Sequence, residues 1–274
     1  MKANNGNSSV DIATVCDIAV GAGHIISESR GQPFQVQAKG SPRDLVTEID
    51  RKAEAYILDR LGRHFPEEPL WGEESIGDRS SLSEAPVYWL IDPIDGTINF
   101  AHDHPFVGVS IARIEKGVPV LGVVHAPLLG ETYWAETGKG AYLNDRPIRV
   151  SSRELLSDSL LATGFACLRE SVEDNLSNFV RLARQARGMR RCGSAALDLA
   201  FVACGRFDGF WELALAPYDV AAGVLLVQEA GGRVSDFARG DGYLHGRNIV
   251  ASNGWIHESI LSQLDPLSDE DLSK

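Results

Sequence analysis

The segment WLIDPIDGTINF (89–100) places two carboxylates, a proline and a glycine directly after an apolar run. The apolar run predicts a buried strand. Pro93 has a fixed φ and also restricts Asp92 before it, so we expect the strand to end before Asp92 in a stiff turn. In that turn the carboxylates of Asp92 and Asp95 and the carbonyl group of Ile94 can converge on one point.

Two negative charges at the end of an apolar strand are costly unless a cation binds beside them. Hard oxygen ligands of this kind suit Mg²⁺ or Mn²⁺ better than Zn²⁺. Gly96 has no Cβ, so a ligand can approach the amides of Gly96 and Thr97, and a helical turn starting there would form an anion site. The same residue types also form ordinary surface turns, so this stretch alone leaves a structural turn open.

The length and charge of the chain limit its possible functions. Its 274 residues suit one large domain or two closely packed halves, which we place at 1–152 and 153–265. An acidic tail at 266–274 is expected to be disordered. The net charge of −12, from 38 acidic and 26 basic residues, argues against nucleic acid or an anionic membrane surface as a partner.

Cysteine usage and the start of the chain favour a cytoplasmic protein. The four cysteines are scattered singly with no C-x-x-C pair, so we expect reduced thiols and neither a zinc nor a redox motif. Residues 1–9 are polar and lack the apolar core of a signal peptide. The most apolar stretch, 107–124, is interrupted by charged residues and is predicted not to cross a membrane.

Apolar residues at helical spacing predict helices over 10–29 and from about Asp50 onward. Mainly strands are predicted after the segment 89–100. Asp50 falls in a first helical turn, where an acidic residue commonly serves the helix dipole. Glu73 lies in a polar segment, where glutamates are commonly solvated. His102 and His104 form an H-x-H pair, but no third nitrogen or sulfur ligand is in register, so we favour the absence of a zinc site.

The second half alternates strands with helices, which is typical of an α/β arrangement. Residues 194–203 predict a small-residue helix with Ser194 as N-cap, and Pro217 opens an apolar helix that ends at Glu229. Asp219 lies in the first turn of that helix. It can serve the helix dipole or present its carboxylate to a site, and the pattern alone does not decide between these roles.

These segments together resemble the inositol monophosphatase family. Four motifs occur in that family's order: DLVTEID at 44–50, WGEES at 71–75, WLIDPIDGTINF at 89–100 and PYDVAAG at 217–223. The segments GSAALDLAFVACGRFDGFWE at 193–212 and EAGG at 229–232 also fit. Because four separate motifs agree, the metal interpretation of Asp92 outweighs the surface turn.

The resemblance implies a layered αβαβα sandwich, an α/β fold with an α+β N-terminal half, that hydrolyses phosphate monoesters with Mg²⁺. The implied metal ligands are Glu73, Asp92, Asp95 and Asp219, with the carbonyl group of Ile94. Two ions would share Asp92, and a third, weaker ion would lie near Glu73 and Asp50. Mn²⁺ can replace Mg²⁺ at such ligands. Inhibition by Li⁺ and a homodimer are also implied.

The same resemblance implies roles for residues beside the metal. Thr97, oriented by Asp50, would position the attacking water, with Glu73 in the catalytic set, and the amides of Gly96 and Thr97 would bind phosphate. A small phosphorylated polyol or sugar-like substrate would also contact Lys39, Gly193, Ser194, Ala195, Glu212 and Asp219. We favour a hydrogen bond from a substrate hydroxyl to Glu212 over a solvated glutamate, because the neighbouring residues match.

The leading hypothesis is an inositol-1-phosphate phosphatase. The same chemistry on histidinol phosphate, fructose 1,6-bisphosphate or a 3′-phosphoadenosine nucleotide stays open. A different class of function is a regulatory, protein-binding role with incidental phosphatase activity, such as contact with the transcription machinery. Two positions depart from the family pattern, Ile98 and Tyr218, where threonine and tryptophan are usual; neither is a proposed ligand.

Overall fold

Two β-sheets with a pair of helices packed between them form the frame of the molecule. The computed structural model describes residues 11–38, 45–75, 85–165, 172–245 and 248–265. Its helices are α1 (Ile12–Ser29), α2 (Glu48–His64), α3 (Thr97–Ala101), α4 (Val172–Ala183), α5 (Ala195–Ala203), α6 (Pro217–Glu229) and α7 (His257–Leu261). Lys39, Cys167 and the tail 266–274 lie outside the described ranges, so the predictions made for them stay predictions.

A short hairpin and a large, mostly antiparallel sheet come first in the chain. The hairpin pairs β1 (Val36–Ala38) with β2 (Leu45–Thr47). The larger sheet has the order β3-β4-β5-β6-β7-β8-β9. Its strands are β3 (Leu70–Gly72), β4 (Val87–Asp95), β5 (Gly108–Glu115), β6 (Val118–Ala126), β7 (Glu131–Glu136), β8 (Gly140–Leu143) and β9 (Arg146–Ile148). The β3–β4 pair is parallel, and the other neighbouring pairs are antiparallel.

The smaller sheet is mixed and has the order β11-β10-β12-β14-β13. Its strands are β10 (Leu160–Thr163), β11 (Gly188–Arg190), β12 (Gly209–Leu213), β13 (Arg233–Ser235) and β14 (Asn248–Ser252). Strand β10 is parallel to both β11 and β12, whereas β14 is antiparallel to β12 and β13. The α/β character predicted for the second half is confirmed.

Three apolar cores separate the layers. Helices α1 and α2 pack on one face of the larger sheet, where Ile57 contacts the core that contains Ile111. Helices α5 and α6 lie between the sheets, and Leu199 shares a core with Phe210 of β12. Helices α4 and α7 cover the far face of the smaller sheet, where Ile260 is fully buried. This order of layers is the predicted αβαβα sandwich.

The two sheets use separate stretches of the chain. The larger sheet is built from residues 70–148 and the smaller sheet from residues 160–252. The predicted boundary near residue 152 falls between them. Because α5 and α6 come from the second stretch yet pack against strands of the first, the division into two halves stays a prediction.

The structure differs from the predicted elements in several places. Strand β4 continues to Asp95 instead of ending before Asp92, because Asp95 still pairs with Gly108 after an irregularity in the register. The three-residue strands β1 and β2 were not predicted, since so short a run shows no alternation.

Among the described residues, no helix combines the length and the apolar character that crossing a membrane requires.

Candidate active site

Glu73 directly follows β3, and Asp92 lies in the neighbouring parallel strand β4, just before the irregularity of that strand. Strands β3 and β4 pair with Gly72 opposite Ile91, and the amide of Glu73 donates to the carbonyl oxygen of Ile91 at 3.0 Å. This register places Glu73 beside Asp92, and the two side chains share a hydrogen bond. Asp92 is 2% exposed. The backbone pairing therefore brings two carboxyl groups together at the same sheet edge.

A bulge in β4 sets the position of the next carboxylate. The amide of Ile94 donates to Oδ1 of Asp92 at 3.0 Å, and pairing with β5 resumes at Asp95 opposite Gly108. Bulges of this kind bend a strand and redirect its side chains. Asp92 and Asp95 remain close enough for the charge of Asp95 to raise the pKa of Asp92. The two residues are thus neighbours along a bulged strand, and their convergence on one metal ion stays a prediction.

Gly96 permits the close approach that starts α3. Its φ is +97°, in the left-handed region that favours glycine. A Cβ at this position would lie 3.0 Å from the carbonyl oxygens of Gly193 and Phe106. Helix α3 then begins at Thr97, so the helical turn expected after Gly96 is present.

Asp50 combines a helix cap with a contact to Thr97. Its Oδ2 accepts a hydrogen bond from the amide of Thr47 at 2.8 Å, and its own amide donates to the Thr47 hydroxyl oxygen at 3.4 Å, which together form a capping box at the start of α2. The Thr47 hydroxyl also donates to Oδ2. Its Oδ1 accepts from the Thr97 hydroxyl at 3.0 Å. The same hydroxyl lies 3.2 Å from the carbonyl oxygen of Ile94. The carboxylate is fully buried, and burial raises its pKa.

Asp219 lies near Asp92 and Asp95 and comes from the first turn of α6. Its Oδ2 accepts from the amide of Ala216 at 2.7 Å. The Ser110 hydroxyl donates to the carbonyl oxygen of Tyr218 at 3.1 Å, and Ser110 is the β5 partner of Asp92. This hydrogen bond ties the start of α6 to the strand beside Asp92. Both roles considered for Asp219 are therefore compatible, since it caps the helix and faces other carboxylates.

The carboxyl groups of Glu73, Asp92, Asp95 and Asp219, which we call the acidic cluster, lie close enough for their charges to shift one another's pKa values. Burial, followed by the charges of Glu73, Asp95 and Asp219, raises the pKa of Asp92 well above its ordinary value. Burial and the charges of Asp95 and Glu73 raise the pKa of Asp219 in the same direction. Burial raises the pKa of Asp95 to about 6, against the lowering effect of its hydrogen bonds. A cation would relieve this repulsion.

The donor set fits a hard divalent cation by its chemistry. Within the described ranges, no three His, Cys, Asp or Glu side chains are already arranged as ligands of one metal ion. The carboxyl groups are nevertheless neighbours, because Glu73 and Asp92 share a hydrogen bond and Asp95 and Asp219 act on both through their charges. Carboxylate and carbonyl oxygens are the ligands of Mg²⁺ and Mn²⁺.

Helix α5 contacts the cluster through its N-terminus. Oδ2 of Asp95 accepts from the Ser194 hydroxyl at 2.7 Å and from the amide of Ala196 at 2.6 Å. Ser194 is the N-cap of α5, as predicted. These contacts place Gly193, Ser194 and Ala195 beside the acidic cluster, although they come from the second half of the chain.

Glu212 lies on β12 and is buried rather than solvated. Its side chain is 9% exposed, and a Cβ on Gly164 would lie 2.0 Å from one carboxylate oxygen. Burial raises its pKa to about 8; the guanidinium of Arg191 opposes this rise, and the charge of Asp95 adds to it. Glu212 is therefore within electrostatic range of the acidic cluster.

Glu54 supports the site and was missed by sequence reasoning. Its Oε2 accepts from the amide of Glu74 at 2.8 Å, and a Cβ on Gly72 would lie 2.3 Å from its carboxylate. The side chain thus holds the turn that carries Glu73. Its position one helical turn after Asp50, on a face otherwise apolar, was the available signal.

Asp198 of α5 was also missed. It is 1% exposed, and its Oδ1 has no hydrogen-bond partner among the described residues. Its side chain makes a hydrogen bond with Cys192. Burial, and then the charges of Glu212 and Asp95, raise its pKa well above the ordinary value. A polar residue within a helix of small apolar residues was the signal in the sequence.

A layered αβαβα sandwich with carboxylates gathered at strand and helix ends defines the class, a phosphoric monoester hydrolase. A statistical model of the inositol monophosphatase family matches residues 7–268, and the chain belongs to this family. Members of the family are generally metal-dependent.

Relatives and solved structures agree with this assignment. The chain is 44% identical over 256 residues to a protein named inositol-1-monophosphatase from Synechocystis sp., covering 93% of this chain and 88% of the relative. It is 45% identical over 228 residues to Nus factor SuhB from Pseudomonas aeruginosa, covering 82% and 84%. The crystal structure of extragenic suppressor protein suhB from Bartonella henselae superposes with a TM-score of 0.87 at 39% identity, covering 93% and 98%.

Proposed function

We propose that this chain is a Mg²⁺-dependent phosphatase that converts inositol 1-phosphate to inositol and phosphate. The observation that carries the proposal is the gathering of Glu73, Asp92, Asp95 and Asp219, whose mutual repulsion around the buried Asp92 calls for a divalent cation. The similarity to a Synechocystis protein named inositol-1-monophosphatase supports the choice of substrate.

Two or three ions would bind this cluster. Glu73, Asp92 and the carbonyl group of Ile94 would hold one, and Asp92, Asp95 and Asp219 would hold a second. A third, weaker ion would lie near Glu73 and Asp50. When bound, Mg²⁺ would neutralise charge on the phosphoryl group and favour the deprotonation of water. Mn²⁺ could replace it, and Li⁺ would inhibit.

Asp50 and Thr97 would orient the attacking water. The Thr97 hydroxyl donates a hydrogen bond to Asp50. The oxygen of Thr97 is therefore left to accept a hydrogen bond from water. That hydrogen bond would help to turn a lone pair of the water toward the phosphorus atom. Positioning of this kind supplies much of the catalysis in phosphoryl transfer, which needs little covalent chemistry from the protein. The amides of Gly96 and Thr97 would bind the phosphate oxygens.

The alcohol part of the substrate would lie between the acidic cluster and the start of α5. Glu212 would accept a hydrogen bond from a hydroxyl group through a carboxyl oxygen, which can accept in both protonation states of the side chain. The backbone of Gly193, Ser194 and Ala195 would line the same side. Asp219 and Lys39 would complete the contacts.

The direct test measures phosphate released from inositol 1-phosphate by metal-stripped protein, with and without added Mg²⁺. We expect release only when Mg²⁺ is present, and activity without metal would overturn the proposal.

A matched panel of histidinol phosphate, fructose 1,6-bisphosphate and 3′-phosphoadenosine nucleotides compares kcat/KM, which measures specificity. A higher value for one of these esters would replace the substrate while keeping the chemistry.

We further propose a cytoplasmic homodimer that binds neither nucleic acid nor a membrane. Light scattering that gives a monomer mass would overturn the dimer.

The likeness to a protein named Nus factor SuhB favours one second candidate, a regulatory protein-binding role. Asp95→Asn should abolish hydrolysis, and rescue of a cellular phenotype by that variant would show that the regulatory role does not need the chemistry.

A further inference from the structure

Asn99 is the third residue of α3, two positions after Thr97, and its side chain binds three backbone carbonyl groups. Its Nδ2 donates to the carbonyl oxygens of Phe106 and Cys192, each at 2.8 Å, and lies 3.3 Å from the carbonyl oxygen of Gly193. Since all three partners are acceptors, the nitrogen of the amide must face them. Phe106 is near in sequence, whereas Cys192 and Gly193 are 93 and 94 residues away.

The carbonyl groups of Cys192 and Gly193 belong to a segment that ends at the N-cap of α5. We call residues 191–194 the substrate loop, because the proposed alcohol contacts begin within it. Gly96 and Gly193 approach each other so closely that a Cβ on Gly96 would lie 3.0 Å from the carbonyl oxygen of Gly193. A Cβ on Gly193 would in turn lie 3.1 Å from Nδ2 of Asn99. The turn after β4 and the substrate loop are therefore in direct contact, with Asn99 at their junction.

A second contact joins the same two regions but is of a different kind. Asp95 accepts from Ser194 and Ala196, and its charge also takes part in the acidic cluster. Asn99 is neutral and binds neutral carbonyl groups. These neutral contacts therefore do not depend directly on the charge state of the cluster.

We propose that Asn99 is a positioning residue that fixes the substrate loop at a set distance from the phosphate-binding turn and thereby selects polyol phosphates. A substrate such as inositol 1-phosphate contacts both regions, so its binding depends on their spacing. A small ester such as p-nitrophenyl phosphate needs the phosphate-binding turn but no hydroxyl contacts at the substrate loop. This inference rests on the proposed function, since it assumes that the loop contacts the alcohol.

The test compares both esters in wild-type protein, Asn99→Ala, Asn99→Ser and the exposed control His102→Ala. Loss of two or three hydrogen bonds predicts a fall in kcat/KM for inositol 1-phosphate of about tenfold or more in Asn99→Ala, mainly through KM. We expect kcat/KM for p-nitrophenyl phosphate to stay within about threefold, because the catalytic groups are retained. Asn99→Ser keeps one donor and should show a smaller, equally selective loss, while His102→Ala should match wild type.

Equal losses on both esters would overturn the proposal, because they would mean that Asn99 supports the fold or the chemistry in general. No loss on either ester would overturn it as well. If Asn99→Ala fails to fold, as judged by circular dichroism, the ratio measured for Asn99→Ser decides. A wild-type protein that cleaves p-nitrophenyl phosphate but no inositol 1-phosphate would instead refute the proposed substrate, so the two failures are distinguishable.

Discussion

The hydroxyl of Thr97 lies 3.0 Å from Oδ1 of Asp50, although 47 residues separate the two positions in the chain. The other carboxylate oxygen of Asp50 is held by Thr47 at the start of α2. One buried carboxylate thus connects the first turns of two helices. Because the position of Asp50 is set by its own helix cap, the orientation of the Thr97 hydroxyl is set as well.

Replacement of Thr97 tests this relationship. Thr97→Val keeps the shape of the side chain but removes the hydroxyl, so we expect kcat to fall about 100-fold or more, with a smaller change in KM. Thr97→Ser keeps the hydroxyl and should retain most of the activity. Steady-state kinetics on the same ester measure both. Equal activity in Thr97→Val and Thr97→Ser would contradict a role for the hydroxyl.

Removal of the Glu54 carboxylate should weaken metal binding. Glu54 holds the amide of Glu74 and so fixes the turn that carries Glu73. Groups that orient metal ligands commonly contribute about 10- to 100-fold to affinity, so Glu54→Ala should raise the Mg²⁺ concentration for half-maximal activity about tenfold. Glu54→Gln keeps an acceptor and should show less effect, and the exposed control Glu67→Ala none. An unchanged Mg²⁺ requirement in Glu54→Ala would show that the turn holds without it.

Asp198 should make stability depend on pH. Its pKa is raised well above the unfolded value by burial and nearby carboxylates, so the folded state keeps a proton that the unfolded state loses. That stability is present at low pH and is lost as the pH rises from about 4 toward the folded pKa. Asp198→Asn cannot ionise, so we expect its stability relative to wild type to be greater at pH 8 than at pH 6. Urea unfolding at pH 6 and pH 8 measures this, and parallel changes in both proteins would contradict it.

His257 should make folding stability depend on pH in the direction opposite to that of Asp198. It is fully buried between the hydroxyls of Ser235 and Ser252, and burial lowers its pKa to about 4. Unfolding then takes up a proton between about pH 6.5 and pH 4, so stability should fall as the pH falls through that window. His257→Asn should flatten the slope of unfolding free energy against pH there, relative to wild type and the exposed control His64→Asn. A slope unchanged in His257→Asn would refute this assignment, whatever the overall stability of the variant.

Local patterns in the sequence were enough to predict much of the fold and of the acidic cluster. The helix from Ile12 to Ser29 and the helix that starts at Pro217 follow from apolar spacing and cap residues. Asp92 and Asp95 lie three positions apart, so their proximity could be expected without knowledge of the fold. Neither Asp50 nor Asp219 could be placed by spacing alone, because a helix cap explains each of them locally.

The parts that escaped prediction depend on contacts between distant segments. The bulge after Asp92 exists because β4 continues to pair with β5, which no local rule for Pro93 reveals. Glu54 and Asn99 look like ordinary polar residues of helices until the turn after β3 and the substrate loop are brought against them. The burial of Asp198 likewise follows only once α5 is packed between two sheets.

The central claim is that Glu73, Asp92, Asp95 and Asp219 together hold divalent cations. A crystal soaked in Mn²⁺ and measured near the manganese absorption edge tests it most directly. We predict one anomalous difference peak within roughly 2–2.5 Å of oxygens from Glu73 and Asp92, a second at the same distance from oxygens of Asp92, Asp95 and Asp219, and the loss of both in Asp92→Asn. Anomalous peaks elsewhere, or none at this cluster in an active protein, would contradict the account.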